Sequence, residues 1–282
     1  MVPRIFVSGW RGFLLVDKKG KREMRELGES ETIVVKVGTS TLTYENGNLN
    51  LKRIEELVKV LSDLGNSGKK LTLVTSGAIG VGLSKMKIKS HSLEVREKQA
   101  LSAIGQCQLM SIYDEFFKKY NKVVGQVLLT KDVVNNQEMM DNAKNTFKTM
   151  FEYDVIPIIN ENDTISINEI VFGDNDTLSA YVANIIKADL LIILTDIDGL
   201  YDKNPKEKEA KLIPYLNEIT DDIRRNAEGT GSDLGTGGMI TKLMAAEIAN
   251  RTNTKTLIIK GERPEIIYQV LEGKDIGTYI SL

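Results

Sequence analysis

Two glycine-rich segments, each carrying one lysine, are the parts of this sequence best suited to chemistry. In the first, the apolar run 33–37 contains Lys36 and leads into Gly38–Ser40, where small side chains leave backbone N–H groups open to a polyanion. In the second, the stretch from Gly235 to Lys242 is predicted to open a helix, whose N-terminal partial charge adds to that of the lysine. Because two lysines on separate elements can hold ATP from both sides, the pattern indicates phosphoryl transfer.

A polar loop, Gly173-Asp174-Asn175-Asp176, lies between these segments. Asp176 is expected to cap a helix that starts near Thr177, since a short acidic side chain can accept from the first free N–H groups of a helix. A cap accounts for one of the three polar side chains. Asp174 and Asn175 then remain for binding or catalysis.

Two further segments place small or polar residues directly after predicted strands. In 74–80, free N–H groups at a helix start could receive a carboxylate or a phosphate, but an ordinary turn with Ser76 as the N-cap is favoured when the segment is taken alone. In Asn160–Asp163, the polar residues stand at the carboxyl end of a strand, where open α/β sheets bind ligands. A solvated turn explains that second segment equally well.

The segment Thr195–Tyr201 follows another apolar run and is suited to a nucleotide base and ribose, although a surface turn closed by Asp198-Gly199 is the plainer interpretation. The sequence contains neither a Walker motif nor a G-x-G-x-x-G after a strand, so the common P-loop and dinucleotide folds are not supported. The spacing of an EF-hand is also missing. A metal ion is therefore expected to be held chiefly through nucleotide phosphates.

Composition narrows the class of ligand. The 282 residues are 41% hydrophobic and carry a net charge of 37 − 39 = −2, which allows a large core and gives no positive field for nucleic acid or anionic lipid. The single cysteine, Cys107, and the single histidine, His91, exclude an intrachain disulfide and a Cys/His zinc site within one chain. No apolar run is long enough to cross a bilayer, and we expect a cytoplasmic protein that acts on small molecules.

From Glu31 onward, short β-branched runs alternate with longer helical patterns, which predicts an α/β fold with a mainly parallel sheet between helices. Predicted strands are 33–37, 70–75, 122–129, 155–159, 190–195 and 256–259. Predicted helices are 51–64, 95–120, 140–153, 178–186, 221–227, 241–250 and 264–272, the last beginning with Pro264.

The first 30 residues stand apart from this alternation. We treat 1–30 as an N-terminal extension and 31–282 as the catalytic domain. The apolar part of the extension is broken by Arg11 and two glycines and has charges after it, unlike a secretory signal. An additional strand, a loose arm, or translation from Met24 remain open interpretations.

Taken in order, the motifs Val34–Ser40, Val74–Ile79, Ile159–Asp163, Gly173–Asp176 and Gly235–Met239 resemble those of the glutamate 5-kinases, members of the amino acid kinase family. The resemblance runs from about Thr32 to the C-terminus. It implies a three-layer αβα sandwich with the glutamate site in the N-terminal half and the ATP site in the C-terminal half. The implied reaction converts ATP and L-glutamate to γ-glutamyl phosphate and ADP, the first step toward proline.

The resemblance also implies roles for individual residues. Lys36 and Lys242 would neutralise the transferring phosphoryl group, and Asp176 would orient both lysines. The residues that would bind glutamate are Ser76, Asp163 and Asn175. The residues that would line the ATP site are Lys36, Thr195, Asp196, Thr236, Gly237, Gly238, Met239, Ile240, Thr241 and Lys242, with Mg²⁺ bridging the ATP phosphates.

Other expectations follow from the same resemblance. Proline would act as a feedback inhibitor, the chain would form a dimer or tetramer, and the product would pass to glutamate-5-semialdehyde dehydrogenase. Many glutamate 5-kinases carry a C-terminal PUA domain, whereas we expect this chain to be the kinase domain alone. A kinase of the same fold acting on acetylglutamate, aspartate, carbamate or uridylate is the main alternative, and a non-catalytic amino acid sensor is another.

Overall fold

A single mixed sheet runs through the computed structural model, which describes residues 26–44, 46–88, 93–130, 132–165, 175–228 and 238–282, with Glu228 described by its backbone alone. In the described part of the chain the strands are β1 Thr32–Val37, β2 Lys70–Val74, β3 Val123–Leu129, β4 Val155–Glu161, β5 Leu190–Thr195, β6 Tyr215–Leu216, β7 Lys255–Lys260 and β8 Thr278–Ile280.

Helices cover both faces of this sheet. Their bounds are α1 Thr39–Leu42, α2 Leu51–Asn66, α3 Ala78–Met86, α4 Val95–Lys119, α5 Asp132–Asn135, α6 Gln137–Glu152, α7 Asn175–Ile186, α8 Asp221–Glu228, α9 Met239–Asn250 and α10 Ile266–Leu271, preceded by a 3₁₀ turn at Glu26–Glu29. Among the described residues, none of these helices combines the length and the apolarity that crossing a bilayer requires.

The strand order is β3-β4-β2-β1-β5-β7-β8-β6, and every neighbouring pair is parallel except β7 and β8. After β1 the chain moves to β2 on one side, and after β4 it returns to β5 on the other side. The loops that follow β1 and β5 therefore diverge at a topological switch point. Crevices at such points, outside the carboxyl ends of the strands, are where open α/β sheets bind ligands.

Alternation along β1 separates two cores. Val35 packs on one face with α2, α4 and α10, whereas Val34 packs on the other face with α6, α7 and α9. Lys36 is two residues beyond Val34, so its side chain emerges on the same face as α7 and α9. The sheet thus places a charged side chain in an otherwise apolar layer.

The predicted αβα class and the six predicted strands are confirmed, with bounds that differ by up to two residues. Some details were wrong or missed, among them the short helices α1 and α5, which were not predicted. Asp176 lies within the first turn of α7 and does not cap it, and Pro264 precedes α10 instead of starting it. The short strands β6 and β8 were not predicted, because two or three residues carry too little pattern to be recognised.

The last residues of the predicted N-terminal extension contact the domain. Leu27 is buried, and the amine of Lys69 donates to the carbonyl oxygens of Gly28 and Ser30 at 2.8 and 2.7 Å. Residues 1–25, including Met24, lie outside the described residues, as does His91.

Candidate active site

A buried carboxylate held between two lysine amines forms the centre of the site. Lys36 Nζ lies 2.5 Å from Asp176 Oδ1, and Lys242 Nζ lies 3.0 Å from Asp176 Oδ2. The three side chains are only 4%, 7% and 0% exposed for Lys36, Lys242 and Asp176 respectively. The structure thus brings together the three residues predicted to be catalytic, although they come from distant parts of the sequence.

Each member of this trio is positioned by a different element. Lys36 comes from β1, Asp176 from the first turn of α7 and Lys242 from the first turn of α9. The hydroxyl of Thr241 donates to Asp176 Oδ2 at 2.9 Å, and the hydroxyl of Ser179 donates to the backbone carbonyl of Asp176 at 2.5 Å. These bonds restrain the carboxylate from both its side chain and its backbone.

The charge balance of the trio favours an anionic ligand. Two ammonium groups and one carboxylate leave a net charge of +1 in a place that water scarcely reaches. Taking charged groups out of water is costly unless they are paired and hydrogen-bonded. A phosphate brought to this side of the sheet would be attracted strongly by the two ammonium groups, because the surroundings screen little.

A second cluster, made of neutral polar groups, lies at the carboxyl ends of β2 and β4. The side-chain amide of Asn175 lies within donating distance of the carbonyl oxygen of Thr75, the hydroxyl oxygen of Ser76 and Oδ1 of Asn160, at 2.6, 2.9 and 2.9 Å. One NH₂ group has two hydrogens for these three acceptors, so at most two of the bonds form at full strength. Ser76 is the partner best able to turn its own O–H toward a substrate.

The N-cap of helix α3 is Gly77, whereas the sequence had suggested an ordinary turn with Ser76 as the N-cap. Gly77 occupies the N-cap position at φ +93°, a left-handed conformation that glycine adopts without strain, and no side chain caps this helix. The hydroxyl of Ser76 is therefore available to Asn175 and to a ligand. The first free N–H groups of α3 lie next to it.

Asp163 lies on the turn after β4, in a partly buried position. Its Oδ2 accepts a hydrogen bond of 2.7 Å from the hydroxyl of Ser102 on α4. Burial raises the pKa of the Asp163 carboxyl above its ordinary value, and the bond from Ser102 opposes part of that increase. The described hydrogen bond of Asp163 thus goes to α4, whereas Ser76 and Asn175 bond to each other.

The predicted nucleotide side is described in part. Thr195 is buried at the end of β5, and its hydroxyl donates to the exposed carboxylate of Asp196 at 3.1 Å. Gly238 is the N-cap of α9, and a Cβ added there would meet no described atom within 4 Å. Among the described residues, none therefore fills the space beside Gly238. Thr236 and Gly237, like Gly173 and Asp174, lie outside the described residues.

The remaining residues of this predicted segment have different environments. Met239 is buried, Ile240 and Thr241 are half-buried, and only Thr241 and Lys242 bond to the central carboxylate. Tyr201, considered as a support for the base, donates to Asp198 at 3.2 Å. Burial raises the pKa of Tyr201, and Asp198 adds to that increase.

Three residues of α4 that sequence reasoning did not single out also reach the site. Ser102 bonds to Asp163, Gln106 accepts from Asn160 at 2.8 Å, and the hydroxyl of Tyr113 lies 2.8 Å from that of Thr75. Their spacing of i, i+4 and i+11 places them on one helical face. Polar residues recurring at helical period on a face that is otherwise apolar are a signal that could have identified them.

Comparison with known proteins identifies the family. Residues 31–260 match the amino acid kinase family. A glutamate 5-kinase of Clostridium perfringens is 53% identical over 259 residues, which cover 90% of this chain and 96% of the relative. A glutamate 5-kinase of Enterococcus faecalis is 48% identical over 258 residues, covering 90% and 95%, and one of Thermoanaerobacter sp. is 49% identical over 247 residues, covering 87% and 66%.

Solved structures agree on the fold. UMP kinase from Bacillus anthracis superposes with a TM-score of 0.60 at 18% identity, over 89% of this chain and 96% of that one. An isopentenyl phosphate kinase of T. acidophilum gives a TM-score of 0.61 at 17% identity, over 88% and 99%. Fold, family match and sequence identity lead to one conclusion: this chain belongs to the amino acid kinase family, among the glutamate 5-kinases.

Proposed function

We propose that this chain transfers the γ-phosphoryl group of ATP to the γ-carboxylate of L-glutamate, giving γ-glutamyl phosphate and ADP as the first step of proline biosynthesis. The observation that carries the proposal is the meeting of Lys36 and Lys242 on Asp176, directly beside the polar cluster of Asn175. The glutamate 5-kinases to which the chain is about half identical support the choice of acceptor.

The reaction needs charge compensation and alignment more than proton transfer. A carboxylate is already ionised at neutral pH, so no general base is needed. A γ-carboxylate oxygen forms a bond to the γ-phosphorus while the bond from that phosphorus to the bridging oxygen of ADP breaks. Both reactants are anions, and preorganised positive charge is the main contribution that an enzyme can make to such a step.

Lys36 and Lys242 are the residues that we propose as this positive charge. Their amines approach Asp176 from separate elements, and the carboxylate pairs with both. Asp176 acts by orienting them and makes no covalent bond. The proposed role explains why a buried cluster with net charge +1 is retained in the fold.

Glutamate is proposed to bind at Ser76, Asp163 and Asn175. The hydroxyl of Ser76 and the N–H groups at the start of α3 suit a carboxylate oxygen, whereas the Asp163 carboxylate suits the ammonium group of a free amino acid. An acceptor without that ammonium group, such as uridylate or N-acetylglutamate, would leave Asp163 without its partner.

ATP is proposed to bind on the other side, along Thr195, Asp196 and the segment Thr236–Lys242. The N-terminus of α9 lies next to Lys242 and adds its partial positive charge. The exposed Asp196 carboxylate is of the ligand type that Mg²⁺ prefers, and Mg²⁺ usually takes one or two such groups and otherwise phosphate oxygens and water. When bound, Mg²⁺ would offset the negative charge of the phosphates.

The biological setting is part of the same proposal. An acyl phosphate hydrolyses readily, so we expect transfer to glutamate-5-semialdehyde dehydrogenase to be efficient in the cytoplasm. We also propose feedback inhibition by proline at or near the glutamate site and assembly into a homodimer or homotetramer, and the resemblance to glutamate 5-kinases supports both proposals. The net charge of −2 favours small-molecule ligands over nucleic acid and membranes.

Direct assay of the purified chain tests the proposal. ADP release is measured with ATP, Mg²⁺ and L-glutamate, L-aspartate, N-acetyl-L-glutamate or uridylate in parallel, and hydroxylamine is added to trap an acyl phosphate as its hydroxamate. We expect ADP and hydroxamate to form in equal amounts with L-glutamate alone. Preference for another acceptor would contradict the proposed substrate, and glutamate binding without ADP release would indicate a sensor.

A further inference from the structure

A buried polar stripe on α4 lies under the proposed glutamate site. Ser102, Gln106 and Tyr113 are all buried, and each bonds to a segment that carries a proposed substrate group or adjoins one. Most of the neighbouring buried side chains on α4 are apolar, including Leu109 and Phe117. Burying a polar side chain is unfavourable unless its polar atoms have hydrogen-bond partners. The presence of three buried polar side chains on one face of α4 therefore needs a physical explanation.

Gln106 occupies the centre of this stripe and forms one end of a chain of amides. Asn175 donates to Asn160 Oδ1 at 2.9 Å, and Asn160 donates from Nδ2 to Gln106 Oε1 at 2.8 Å. Asn160 Oδ1 also accepts from the backbone N–H of Glu161 at 3.0 Å, so this N–H and the oxygen of Gln106 together set the orientation of the Asn160 amide. With its oxygen toward the N–H of Glu161 and its nitrogen toward the oxygen of Gln106, Asn160 presents an oxygen to Asn175.

The orientation of the Asn160 amide in turn determines the orientation of Asn175, which is proposed to bind the substrate. Asn175 must direct its NH₂ toward Asn160, Thr75 and Ser76, which turns its own Oδ1 away from them. An outward carbonyl oxygen suits the ammonium group of an amino acid, and the hydroxyl of Ser76 is left to donate. A flipped Asn160 amide would present N–H to N–H at Asn175 and would disturb this arrangement.

Gln106 achieves this at a cost. Its Nε2 is fully buried and has no hydrogen-bond partner among the residues that the structure describes. A methionine would fill the same space without burying an unsatisfied donor. At this position the amide oxygen accepts a hydrogen bond from Asn160, whereas the buried amide N–H groups are unfavourable. This contrast indicates that the oxygen has a function beyond packing.

We propose that Gln106 is a positioning residue of the acceptor site: together with the backbone N–H of Glu161 it holds the Asn160 amide, and through Asn160 the side-chain amide of Asn175, in the orientation that binds glutamate. The inference rests on the proposed function, because it concerns the same acceptor. It involves no contact between Gln106 and the substrate, since its amide nitrogen is sealed from solvent.

The test compares two substitutions at this position. Gln106→Met keeps the length and removes the acceptor, whereas Gln106→Glu keeps an acceptor, because burial favours the neutral carboxyl whose carbonyl oxygen can still receive Asn160. We expect Gln106→Met to raise the KM for glutamate about tenfold, as befits the loss of one oriented hydrogen bond, with the KM for ATP unchanged. Gln106→Glu should restore most of the glutamate affinity.

A matched control lies on the same helix. Gln108 is half-buried and accepts from Lys85 at 2.9 Å, away from the amide chain, so Gln108→Met should leave both KM values unchanged. A double-mutant cycle adds a second readout: in an Asn160→Ala background, Gln106→Met should cause no further loss, since the two residues act as one unit. Thermal unfolding checks that each variant is folded, and Gln106→Ser replaces Gln106→Met if the latter is not.

The outcomes separate this inference from the function on which it rests. If the unaltered chain does not phosphorylate glutamate, the proposed function fails. If the unaltered chain is active but Gln106→Met leaves the glutamate KM unchanged, or raises both KM values equally, or adds fully to Asn160→Ala, the positioning role of Gln106 is overturned while the function stands.

Discussion

The amine of Lys36 lies 2.5 Å from the carboxylate of Asp176. Lys36 is in strand β1, whereas Asp176 is in helix α7, which follows β2, β3 and β4 in the sequence. The opposite oxygen of the same carboxylate holds Lys242 at 3.0 Å. Two amines that would repel each other in isolation are thereby kept on one side of the sheet. The carboxylate makes a stable, preformed positive site possible.

Replacing either lysine should abolish most activity and leave the fold intact. We expect Lys36→Ala and Lys242→Ala each to lower turnover by on the order of 10²–10³, the usual effect of removing one preorganised group that stabilises developing charge. Steady-state ADP release gives the turnover, and circular dichroism reports the fold. Lys59→Ala, at an exposed position on α2, is the control with normal turnover. Near-normal turnover in a folded lysine variant would refute the role.

Removing the shared carboxylate should harm stability as well as activity. Asp176→Asn keeps the shape but removes the carboxylate charge that pairs with two buried ammonium groups. Breaking a buried ion pair from one side typically costs about 3–5 kcal/mol. We therefore expect a lower Tm, with partial recovery when ATP is added, because its phosphates replace the lost negative charge. Asp222→Asn, at an exposed pair with Arg225, should leave the Tm nearly unchanged. An Asp176→Asn variant as stable as the unaltered chain would show that the amines do not depend on this carboxylate.

Asp163 should make glutamate binding sensitive to pH. Its pKa is raised by burial, so the carboxylate becomes protonated at a higher pH than an ordinary aspartate. Below that pKa it cannot pair with an ammonium group, and the glutamate KM should rise as the pH falls through it. Ser102→Ala removes the bond that lowers this pKa, so the rise in KM should begin at a higher pH.

Two variants of Asp163 itself complete that test. Asp163→Ala should raise the glutamate KM by about 10- to 100-fold at neutral pH, as expected for loss of a charge-assisted bond. Asp163→Asn has no titrating carboxyl at this position, so the part of the pH dependence of the glutamate KM that Asp163 causes should disappear. Any pH dependence that remains in this variant then comes from the substrate or from other groups. A glutamate KM that is unchanged in Asp163→Ala would mean that the loop has another task.

A glycine contact between α3 and α4 should be essential for stability. A Cβ added at Gly105 would lie 1.7 Å from the carbonyl oxygen of Ala78, so the two helices could not stay as close. We expect Gly105→Ala to destabilise the protein by about 1–3 kcal/mol or more in urea unfolding. The glutamate KM should also rise, because Ser76 lies just before α3 and Gln106 lies on α4, the two helices that would separate. Gly80→Ala is the matched control.

Gly80 lies on α3, the helix that Gly105 of α4 contacts, and a Cβ added at Gly80 would meet no described atom within 4 Å. Alanine is favoured over glycine inside a helix by about 1 kcal/mol, so Gly80→Ala should be neutral or stabilising. Equal loss of stability in the two variants would mean that glycine at 105 is not required by the helix contact.

Much of the fold could be predicted from local pattern. Continuous apolar runs such as Leu190–Thr195 are typical of strands covered on both faces, and this strand is buried throughout. The antiparallel strand β8 was missed because its three residues pair with β7 through contacts that no local pattern encodes. Asp176 was expected to cap α7 because acids favour that position, but a buried pair with two lysines outweighs a cap.

The site was predictable where residue type alone indicates chemistry. Lysines and acids next to glycines drew attention to Lys36, Asp176 and Lys242. Gln106 did not, because a glutamine within a long helix is usually solvated, and only its tertiary contact with Asn160 distinguishes it from Gln108. The roles proposed for Ser76, Asp163 and Asn175 remain predictions for the experiments above.

Asn175 and Asp176 are consecutive in the first turn of α7, and one serves the amide cluster while the other serves the lysine pair. A small rotation or slide of that single turn would displace both sets of contacts at once. The proposed positions of the acceptor and of the phosphoryl donor consequently both depend on the backbone of this one turn. Any change that loosens the backbone of this turn should therefore weaken the binding of both substrates together.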